Sequence, residues 1–348
     1  MSEGNFALAP GSLVVVSGAT GNIGSHVVDQ LLRAGFRVRG TVRDAERGGW
    51  VKEHFGAKYG ADRIEIVEVK DMGAPGAFDE AVKGAAGFIH VATPVMQGMD
   101  PNTAVPTVIN GATNMLSAAT SEPGLKRVVL TSSSGACAAP QPGVRFRIDS
   151  DTWNEASVEE AWKPPPYEGM ARRLAIYYAA KTQSEQAAWR WVEEHRPGFV
   201  LNTVLPNANF GPVISERHQG YHSTLQWVRA AFDAFSGDDD VRALRDQPPQ
   251  YFVNIADNAA VHVAALYDDV RGERLFTFAY PYNWNDIFAV FRKLFPDEAG
   301  KWEDIPDLPR DLSTVTNERA EELLKRISGH GWTSLEETIK QSIATYAK

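Results

Sequence analysis

Short apolar runs alternate with amphipathic stretches along the first 206 residues. Residues 13–16, Leu-Val-Val-Val, predict a buried strand, and residues 22–34 predict a helix whose apolar face carries Ile23, Val27 and Leu31. Further strands are expected at 36–42, 64–69, 87–92 and 127–131, and a further helix at 103–119. Continuous apolar strands separated by helices indicate a doubly wound α/β fold with a parallel sheet covered on both faces.

The pattern loosens in the second half. Residues 140–169 are rich in Pro, Trp and charge, which predicts a long surface excursion before a helix at 171–194 and a strand at 199–205. Beyond Pro206 we expect a smaller C-terminal lobe. The predicted main domain is 1–206 with contributions from about 251–280, and the predicted lobe is 207–250 and 281–348. Within these parts, strands are expected at 251–255 and 275–278, and helices at 225–235, 258–267, 318–327 and 334–346.

Three glycines, Gly18, Gly21 and Gly24, follow the first predicted strand and open the first predicted helix. Glycine allows a tight turn and lets backbone approach a pyrophosphate, and a helix N-terminus supplies unpaired N–H groups. An ordinary tight turn is the alternative. The position between strand and helix favours a dinucleotide-binding loop.

Tyr177 and Lys181 are four residues apart in a predicted helix, so they share one face. A nearby ammonium would lower the pKa of the phenol and make it a general acid for carbonyl reduction. The run Thr131–Ser134 lies at a strand end, where parallel sheets bind ligands, and one of its hydroxyls could hold a carbonyl oxygen. Taken alone, a surface helix and a Ser-rich turn would explain these residues equally well.

Several longer segments add a family resemblance, namely VSGATGNIGSHVVDQLL, RVRGTVRD, GFIHVATP, RVVLTSSS, YYAAKTQSEQAAW, TVLPNANFGP, YFVNIADNAAVHVAAL and GWTSLEETIK. With them the chain resembles the extended short-chain dehydrogenases/reductases nearly end to end. It is most similar to fungal and yeast NADPH-dependent aldehyde and carbonyl reductases, which are related to plant dihydroflavonol 4-reductases. Ser134 departs from the Ala or Thr of many relatives, and Tyr178 stands beside Tyr177.

The resemblance implies that Ser133 binds the carbonyl, that Tyr177 is the acid, and that Lys181 tunes Tyr177 and binds the nicotinamide ribose. Tyr178 lacks the spacing of four to Lys181, so we interpret it as a packing residue. The cofactor residues implied by the loop and the resemblance are Gly18, Thr20, Gly21, Asn22, Ile23, Gly24, Arg43, Asp71, Ala92, Thr93, Pro206 and Asn207, together with Tyr177 and Lys181.

Cofactor choice depends on the end of the second predicted strand. NAD-binding sites usually place an acidic residue there, whereas Arg43 could grip a 2′-phosphate and Arg47 could assist. Asp44 follows directly, and we expect it to cap a helix beginning near Ala45 instead of binding ribose. The sequence therefore predicts NADP(H).

Composition excludes several other classes of function. The formal net charge is −9 without a long basic run, which disfavours nucleic acid as a partner. No segment approaches the roughly 20 apolar residues of a membrane span, and no secretory signal is evident, so we expect a cytoplasmic protein. Cys137 is the single cysteine and the histidines lack metal-ligand spacing, so no metal is expected. We expect a monomer or homodimer.

The expected substrate is a bulky, uncharged carbonyl compound, because the candidate pocket residues Met96, Phe210 and Trp227 are apolar. A sugar-nucleotide epimerase or dehydratase on the same scaffold remains an alternative. It would need cations in the lobe, for which Arg217, Arg229, Arg242 and Arg245 are available. A non-catalytic dinucleotide sensor is a weaker alternative, since it has no need for Ser133, Tyr177 and Lys181 together.

Overall fold

The computed structural model describes residues 5–93, 100–233, 244 and 246–344. The strands are β1 Leu13–Ser17, β2 Arg37–Val42, β3 Ile64–Glu68, β4 Gly87–His90, β5 Arg127–Thr131, β6 Arg147–Ile148, β7 Val200–Pro206, β8 Ala208–Phe210, β9 Gln250–Asn254, β10 Arg274–Thr277, β11 Tyr280–Tyr282 and β12 Thr314–Val315. The helices are α1 Asn22–Arg33, α2 Ala45–Tyr59, α3 Asp79–Val82, α4 Pro101–Ser121, α5 Glu155–Ala161, α6 Met170–His195, α7 Glu216–Gln219, α8 Leu225–Asp233, α9 Ile255–Ala264, α10 Trp284–Leu294, α11 Glu318–Ser328 and α12 Leu335–Ile343.

The central sheet has seven parallel strands in the order β3-β2-β1-β4-β5-β7-β10. Successive side chains of a strand point to opposite faces, and β1 shows the consequence. Val14 and Val16 pack into a core with α1, α2, α9 and α11, whereas Leu13 and Val15 pack into a second core with α3, α4 and the end of α6. Because both faces are covered, the strands read as continuous apolar runs, and the predicted doubly wound fold is confirmed.

A second, three-stranded sheet of order β11-β9-β8 builds the lobe. Its β8 and β9 are parallel, whereas β9 and β11 are antiparallel. The sheet packs with α8, α10 and α12 around an aromatic core that includes Phe252, Tyr282, Trp284 and Trp302. A short parallel pair, β6 with β12, lies apart from both sheets.

Strand and helix positions largely follow the hydrophobic pattern, and β5 has the predicted bounds. The main difference in helix position concerns the helix expected at 258–267, which begins instead at Ile255, directly after β9. The Asn254 side chain accepts a hydrogen bond from the Ala256 N–H at 2.9 Å and caps the helix there.

The excursion at 140–169 is more than a surface loop, which corrects the prediction. It contains β6 and α5, and Ile148 and Asn154 are buried. Asn154 donates a hydrogen bond from Nδ2 to the carbonyl oxygen of Gly135 at 2.8 Å. This contact anchors the segment to the chain just beyond β5.

The expected division between domain and lobe also needs correction. Strand β9 belongs to the lobe sheet, although the residues around it were assigned to the main domain. Helix α11, expected in the lobe, buries Ala320, Leu323 and Leu324 in the same core as α9. An amphipathic pattern predicts that a helix has a buried face but not which neighbour covers it.

Among the described residues, no helix is long and apolar enough to cross a membrane.

Candidate active site

The glycine loop turns tightly between β1 and α1. Gly18 has a φ of +68°, and a Cβ there would lie 3.1 Å from the Ala92 Cα. A Cβ on Gly24 would lie 2.1 Å from the Gly18 carbonyl oxygen, so no larger residue fits. Gly21 is the N-cap of α1 and gives no side-chain cap, which leaves the first N–H groups of this helix available to an anion.

A cavity of about 420 Å³ opens over this loop. Its walls come from the ends of β1, β2 and β4, and from the chain between β8 and α8. Among its lining residues are most of those expected to bind cofactor: Gly18, Thr20, Gly21, Asn22, Ile23, Gly24, Arg43, Ala92 and Thr93. The structure therefore brings together residues that are up to 75 positions apart in sequence.

The remaining predicted cofactor residues lie outside the cavity lining. Asp71 is exposed, and its Oδ1 accepts a hydrogen bond from the Gly73 N–H at 2.8 Å, while the nearby Val69 and Met72 line the cavity. Pro206 pairs with Thr277 in the central sheet. Asn207 is partly buried, and its Oδ1 accepts from the Ala208 N–H.

The end of β2 presents Arg43 and Asp44 in different roles. Arg43 lines the cavity with an exposed side chain, and the described residues give it neither a hydrogen bond nor an ion pair. Asp44 is the N-cap of α2, where its Oδ1 accepts from the Arg47 N–H at 3.0 Å. The predicted helix-capping role of Asp44 is confirmed, and Arg43 is the charged group of this pair that faces the cavity.

Ser133 lies where β5 gives way to a short 3₁₀ turn, Ser134–Ala136. Its hydroxyl oxygen accepts a hydrogen bond from the Gly135 N–H at 3.1 Å. The Ser133 side chain also interacts with the Tyr177 hydroxyl and favours a lower pKa of that phenol. The neighbouring Tyr178 packs on the same turn, because a Cβ on Gly135 would lie 2.2 Å from its ring. This contact agrees with the packing role expected for Tyr178.

Lys181 lies one turn after Tyr177 on α6 and is buried. Its Nζ donates hydrogen bonds to the Thr93 hydroxyl at 2.7 Å and to the Thr131 carbonyl oxygen at 3.2 Å. Thr93 follows β4, and Thr131 is the last residue of β5. Lys181 therefore links α6 to the carboxyl ends of two adjacent strands. Thr93 also lines the cavity and thereby joins the two groups of predicted residues.

The pKa values differ from the simple expectation for a Tyr-Lys pair. Burial raises the pKa of Tyr177, and the interaction with Ser133 opposes this effect only in part. Burial also lowers the pKa of Lys181 to about 8, although the Glu185 carboxylate favours its charged form. The expected lowering of the Tyr177 pKa by Lys181 is therefore not seen in this structure, where the pKa of Tyr177 is raised and the Lys181 ammonium donates to Thr93 and Thr131 instead.

Glu185, one further turn along α6, was not predicted as part of the site. It is 1% exposed, and its carboxylate accepts hydrogen bonds from Ser132 at 2.6 Å and Thr203 at 2.9 Å. Arg274 of β10 forms a buried ion pair with it at 2.9 Å and stacks on Trp153 with its guanidinium carbon 3.8 Å from the ring centroid. Glu185 continues the spacing of four set by Tyr177 and Lys181, and this spacing is the sequence signal that could have placed it on the same helix face.

The three predicted substrate-pocket residues are separated in this structure. Phe210 is 0% exposed in the aromatic core of the lobe, stacked on Phe252, so burial removes it from the candidate pocket lining. Trp227 is partly buried on α8 against the same core. Met96 lies outside the described residues.

The site holds no arrangement suited to a metal ion. Across the ranges that the structure describes, no three His, Cys, Asp or Glu residues form a group that could hold one. Cys137 is buried, and burial raises the pKa of its thiol to about 12, so it stays protonated.

Comparisons with known proteins found a matching family model and several relatives. Residues 18–187 match a family model described as NAD(P)H-binding. The chain is 38% identical over 343 residues to an aldehyde reductase 2 of Sporidiobolus salmonicolor, with 98% of each chain covered. It is 37% identical over 340 residues to the NAD-dependent epimerase/dehydratase terH of Aspergillus terreus, covering 97% of this chain and 98% of the relative.

The chain belongs to the extended short-chain dehydrogenase/reductase family. A solved structure of the yeast methylglyoxal/isovaleraldehyde reductase Gre2 complexed with NADPH superimposes with a TM-score of 0.78. It covers 95% of this chain and 97% of its own, at 24% identity. This family membership confirms the predicted resemblance. The range matched by the NAD(P)H-binding family model, residues 18–187, contains the glycine loop, Ser133, Tyr177 and Lys181.

The buried ion pair generates a stability prediction. In Arg274→Ala the Glu185 carboxylate would stay buried without its charged partner, so we expect a loss of about 3–5 kcal/mol in the free energy of unfolding. Denaturant unfolding followed by circular dichroism measures this loss. Arg271→Ala is the matched control, because that side chain is mostly exposed in its ion pair with Asp268 and should change stability by less than about 1 kcal/mol. Equal effects of the two substitutions would contradict the role assigned to Arg274.

Proposed function

We propose that the protein is an NADPH-dependent reductase that converts an aldehyde or ketone to an alcohol. The observation that carries the proposal is the 2.7 Å hydrogen bond from Lys181 to Thr93. Thr93 lines the cavity over the glycine loop, and Lys181 shares α6 with Tyr177, whose hydroxyl interacts with Ser133. Thr93 thus contacts both the cavity proposed to bind the cofactor and the group of residues that contains the proposed acid, Tyr177. The aldehyde reductase activity named for the Sporidiobolus relative supports the same chemistry.

The residues present fit a dinucleotide. Gly24 has no room for a side chain, the first N–H groups of α1 are uncapped, and Arg43 is exposed at the far wall. In the proposed arrangement the pyrophosphate lies at the N-terminus of α1 and the 2′-phosphate lies beside Arg43. When bound, NADPH supplies the hydride that is added to the carbonyl carbon.

Side chains of the protein then bind and protonate the carbonyl oxygen. Ser133 donates a hydrogen bond to this oxygen and orients it beside Tyr177. The Tyr177 hydroxyl gives its proton to the oxygen as negative charge develops there, which completes the alcohol. The Lys181 ammonium offsets the charge left on Tyr177 and binds the ribose hydroxyls. One carbonyl and one NADPH, with a proton from solvent restoring Tyr177, thus give one alcohol and NADP⁺.

The substrate is proposed to be a bulky, uncharged carbonyl compound bound between the site and the lobe, with Trp227 and Met96 as candidate contacts. The Asp71, Pro206 and Asn207 contacts to cofactor also remain part of the proposal. We propose a cytoplasmic enzyme that acts as a monomer or homodimer.

A sugar-nucleotide epimerase or dehydratase is the second candidate, because the Aspergillus terreus relative carries that name. Such substrates need cations in the lobe. Arg217 is exposed on α7, Arg229 forms an ion pair with Asp233, and Arg242 and Arg245 lie outside the described residues. Titration with sugar nucleotides, monitored by the fluorescence of bound NADPH, separates the candidates, since only the second predicts saturable binding. A non-catalytic sensor would show no turnover with any carbonyl.

Tyr177→Phe tests the proposed acid. The ring and its packing remain while the proton donor is lost, so we expect kcat to fall by at least about 100-fold with little change in NADPH affinity. NADPH oxidation at 340 nm with a panel of aldehydes and aryl ketones measures turnover. Tyr178→Phe removes a hydroxyl from the adjacent ring and should leave kcat within a few-fold of wild type. Retention of activity in Tyr177→Phe would reject this residue as the acid.

The lowered pKa of Lys181 predicts a pH dependence. Its ammonium is charged below a pKa of about 8 and neutral above it, so kcat/KM for reduction should fall as pH rises through about 8. Burial lowers the pKa of His90 to about 3 and that of His262 to about 4, so these neighbours stay neutral over this range. Rates from pH 6 to 10 give the profile. A profile that is flat to pH 10 would contradict the assignment to Lys181.

Arg43 should set the preference for NADPH over NADH. A guanidinium bound to the 2′-phosphate is worth about 2 kcal/mol, so Arg43→Ala should reduce the NADPH/NADH ratio of kcat/KM by about 30-fold. Arg37→Ala, at the opposite end of the same strand, is the control and should leave the ratio unchanged. A wild-type ratio near one would move the ribose contact to Asp44.

A further inference from the structure

The segment of residues 211–224, here called the strap, leaves the lobe after β8 and returns to it at α8. Between these points it crosses to the main domain. The His26 ring nitrogen lies 2.9 Å from the Pro212 carbonyl oxygen, and the His218 ring stacks on Trp50 with centroids 5.4 Å apart. On the return, the Thr224 hydroxyl donates to the Asn209 carbonyl oxygen at 2.7 Å. The strap is therefore fastened both to the lobe and to α1 and α2 of the main domain.

Gln219 is the strap residue that reaches the glycine loop. Its side chain is buried, and its Nε2 lies 3.1 Å from the carbonyl oxygens of both Thr20 and Gly21 and 2.8 Å from the Ser25 hydroxyl. Its Oε1 accepts from the Ser215 N–H at 3.0 Å. Both ends of the amide are thus satisfied, one within the strap and the other on the loop.

These contacts help to fix the direction of the loop peptides, together with the Ser25 N–H of α1, which also donates to the Gly21 carbonyl oxygen at 2.9 Å. In a trans peptide the carbonyl and the following N–H point in opposite directions. The Gly21 carbonyl turned toward Gln219 therefore aims the Asn22 N–H away from it. Asn22 is the first residue of α1, whose N-terminal N–H groups have no side-chain cap, and it lines the cavity. The Gly21 N–H, which follows the Thr20 carbonyl, is itself tied to the Gly18 carbonyl oxygen at 2.9 Å, so within these two peptides it is the Asn22 N–H that stays available to an anion.

We propose that Gln219 is a positioning residue that holds the glycine loop in its pyrophosphate-binding conformation. The proposal rests on the proposed function, because it takes the pyrophosphate to lie at the N-terminus of α1. It assigns part of the affinity for cofactor to the lobe, since the strap is the chain between β8 and α8. Gln219 acts through the loop backbone and not by reacting with substrate.

Binding of two cofactor fragments tests this assignment. The fragment 2′-phospho-ADP-ribose contains the pyrophosphate, whereas 2′-AMP contains adenine and the 2′-phosphate without it. Their dissociation constants follow from displacement of fluorescent NADPH. We expect Gln219→Ala to weaken the binding of 2′-phospho-ADP-ribose by about 10-fold, because the hydrogen bonds of the amide to the loop are lost, and the binding of 2′-AMP by less than twofold. Arg43→Ala should weaken both fragments.

Gln219→Met keeps the length and packing of the side chain without its amide, so it should reproduce the selective loss even if Gln219→Ala folds poorly. Both variants should raise KM for NADPH while kcat at saturating NADPH stays within about twofold of wild type. Gln226→Ala, an exposed change on α8, is the control and should alter neither fragment.

Equal weakening of both fragments in Gln219→Met would overturn the inference, because a general loss of structure would not distinguish them. Unchanged binding of 2′-phospho-ADP-ribose would also overturn it. If the wild type bound the two fragments equally, the proposed pyrophosphate seat would fail, and the inference would fail with it. The wild-type result thus separates failure of the proposed function from failure of the inference alone.

Discussion

The buried carboxylate of Glu185 constrains how α6 lies against the central sheet. A charge that is 1% exposed is tolerated only when it is paired and hydrogen-bonded, and the required donors come from separate strands. Ser132 follows β5, Thr203 lies in β7 and Arg274 lies in β10. These contacts fix the rotation of α6 about its axis. Tyr177 and Lys181, two turns and one turn before Glu185, are therefore directed to the ends of β4 and β5.

The same constraint joins the proposed catalytic residues to the cavity proposed to bind the cofactor. Lys181 binds Thr93, which follows β4, and β4 pairs with β1, the strand that leads into the glycine loop. A shift of α6 would thus be transmitted through one lysine to the cavity wall. On the opposite wall, Gln219 holds the loop from the lobe side. The loop is supported from both the sheet and the strap, and this agrees with the alignment that hydride transfer requires.

The electrostatics of the site separate structural charges from those proposed to be functional. Arg274 is paired with Glu185, and Asp44 caps the first turn of α2. Arg43 faces the cavity, and Lys181 has a pKa lowered to about 8 by burial. A lysine close to its pKa and an arginine without a partner among the described residues are the groups whose charge a bound NADPH would most affect.

Local pattern determined much of this protein. Apolar runs predicted the strands of the parallel sheet, the glycine spacing predicted the loop, and the interval of four predicted that Tyr177 and Lys181 share a face, because these features depend on neighbouring residues. The tertiary structure decided which distant groups meet. Glu185 with Arg274, and Gln219 with the glycine loop, are 89 and 198 positions apart, and no local period encodes such pairs. The tertiary structure likewise placed Phe210 in the lobe core and α11 on the main domain. An apolar residue or helix face predicts burial, but only three-dimensional packing decides which neighbour covers it.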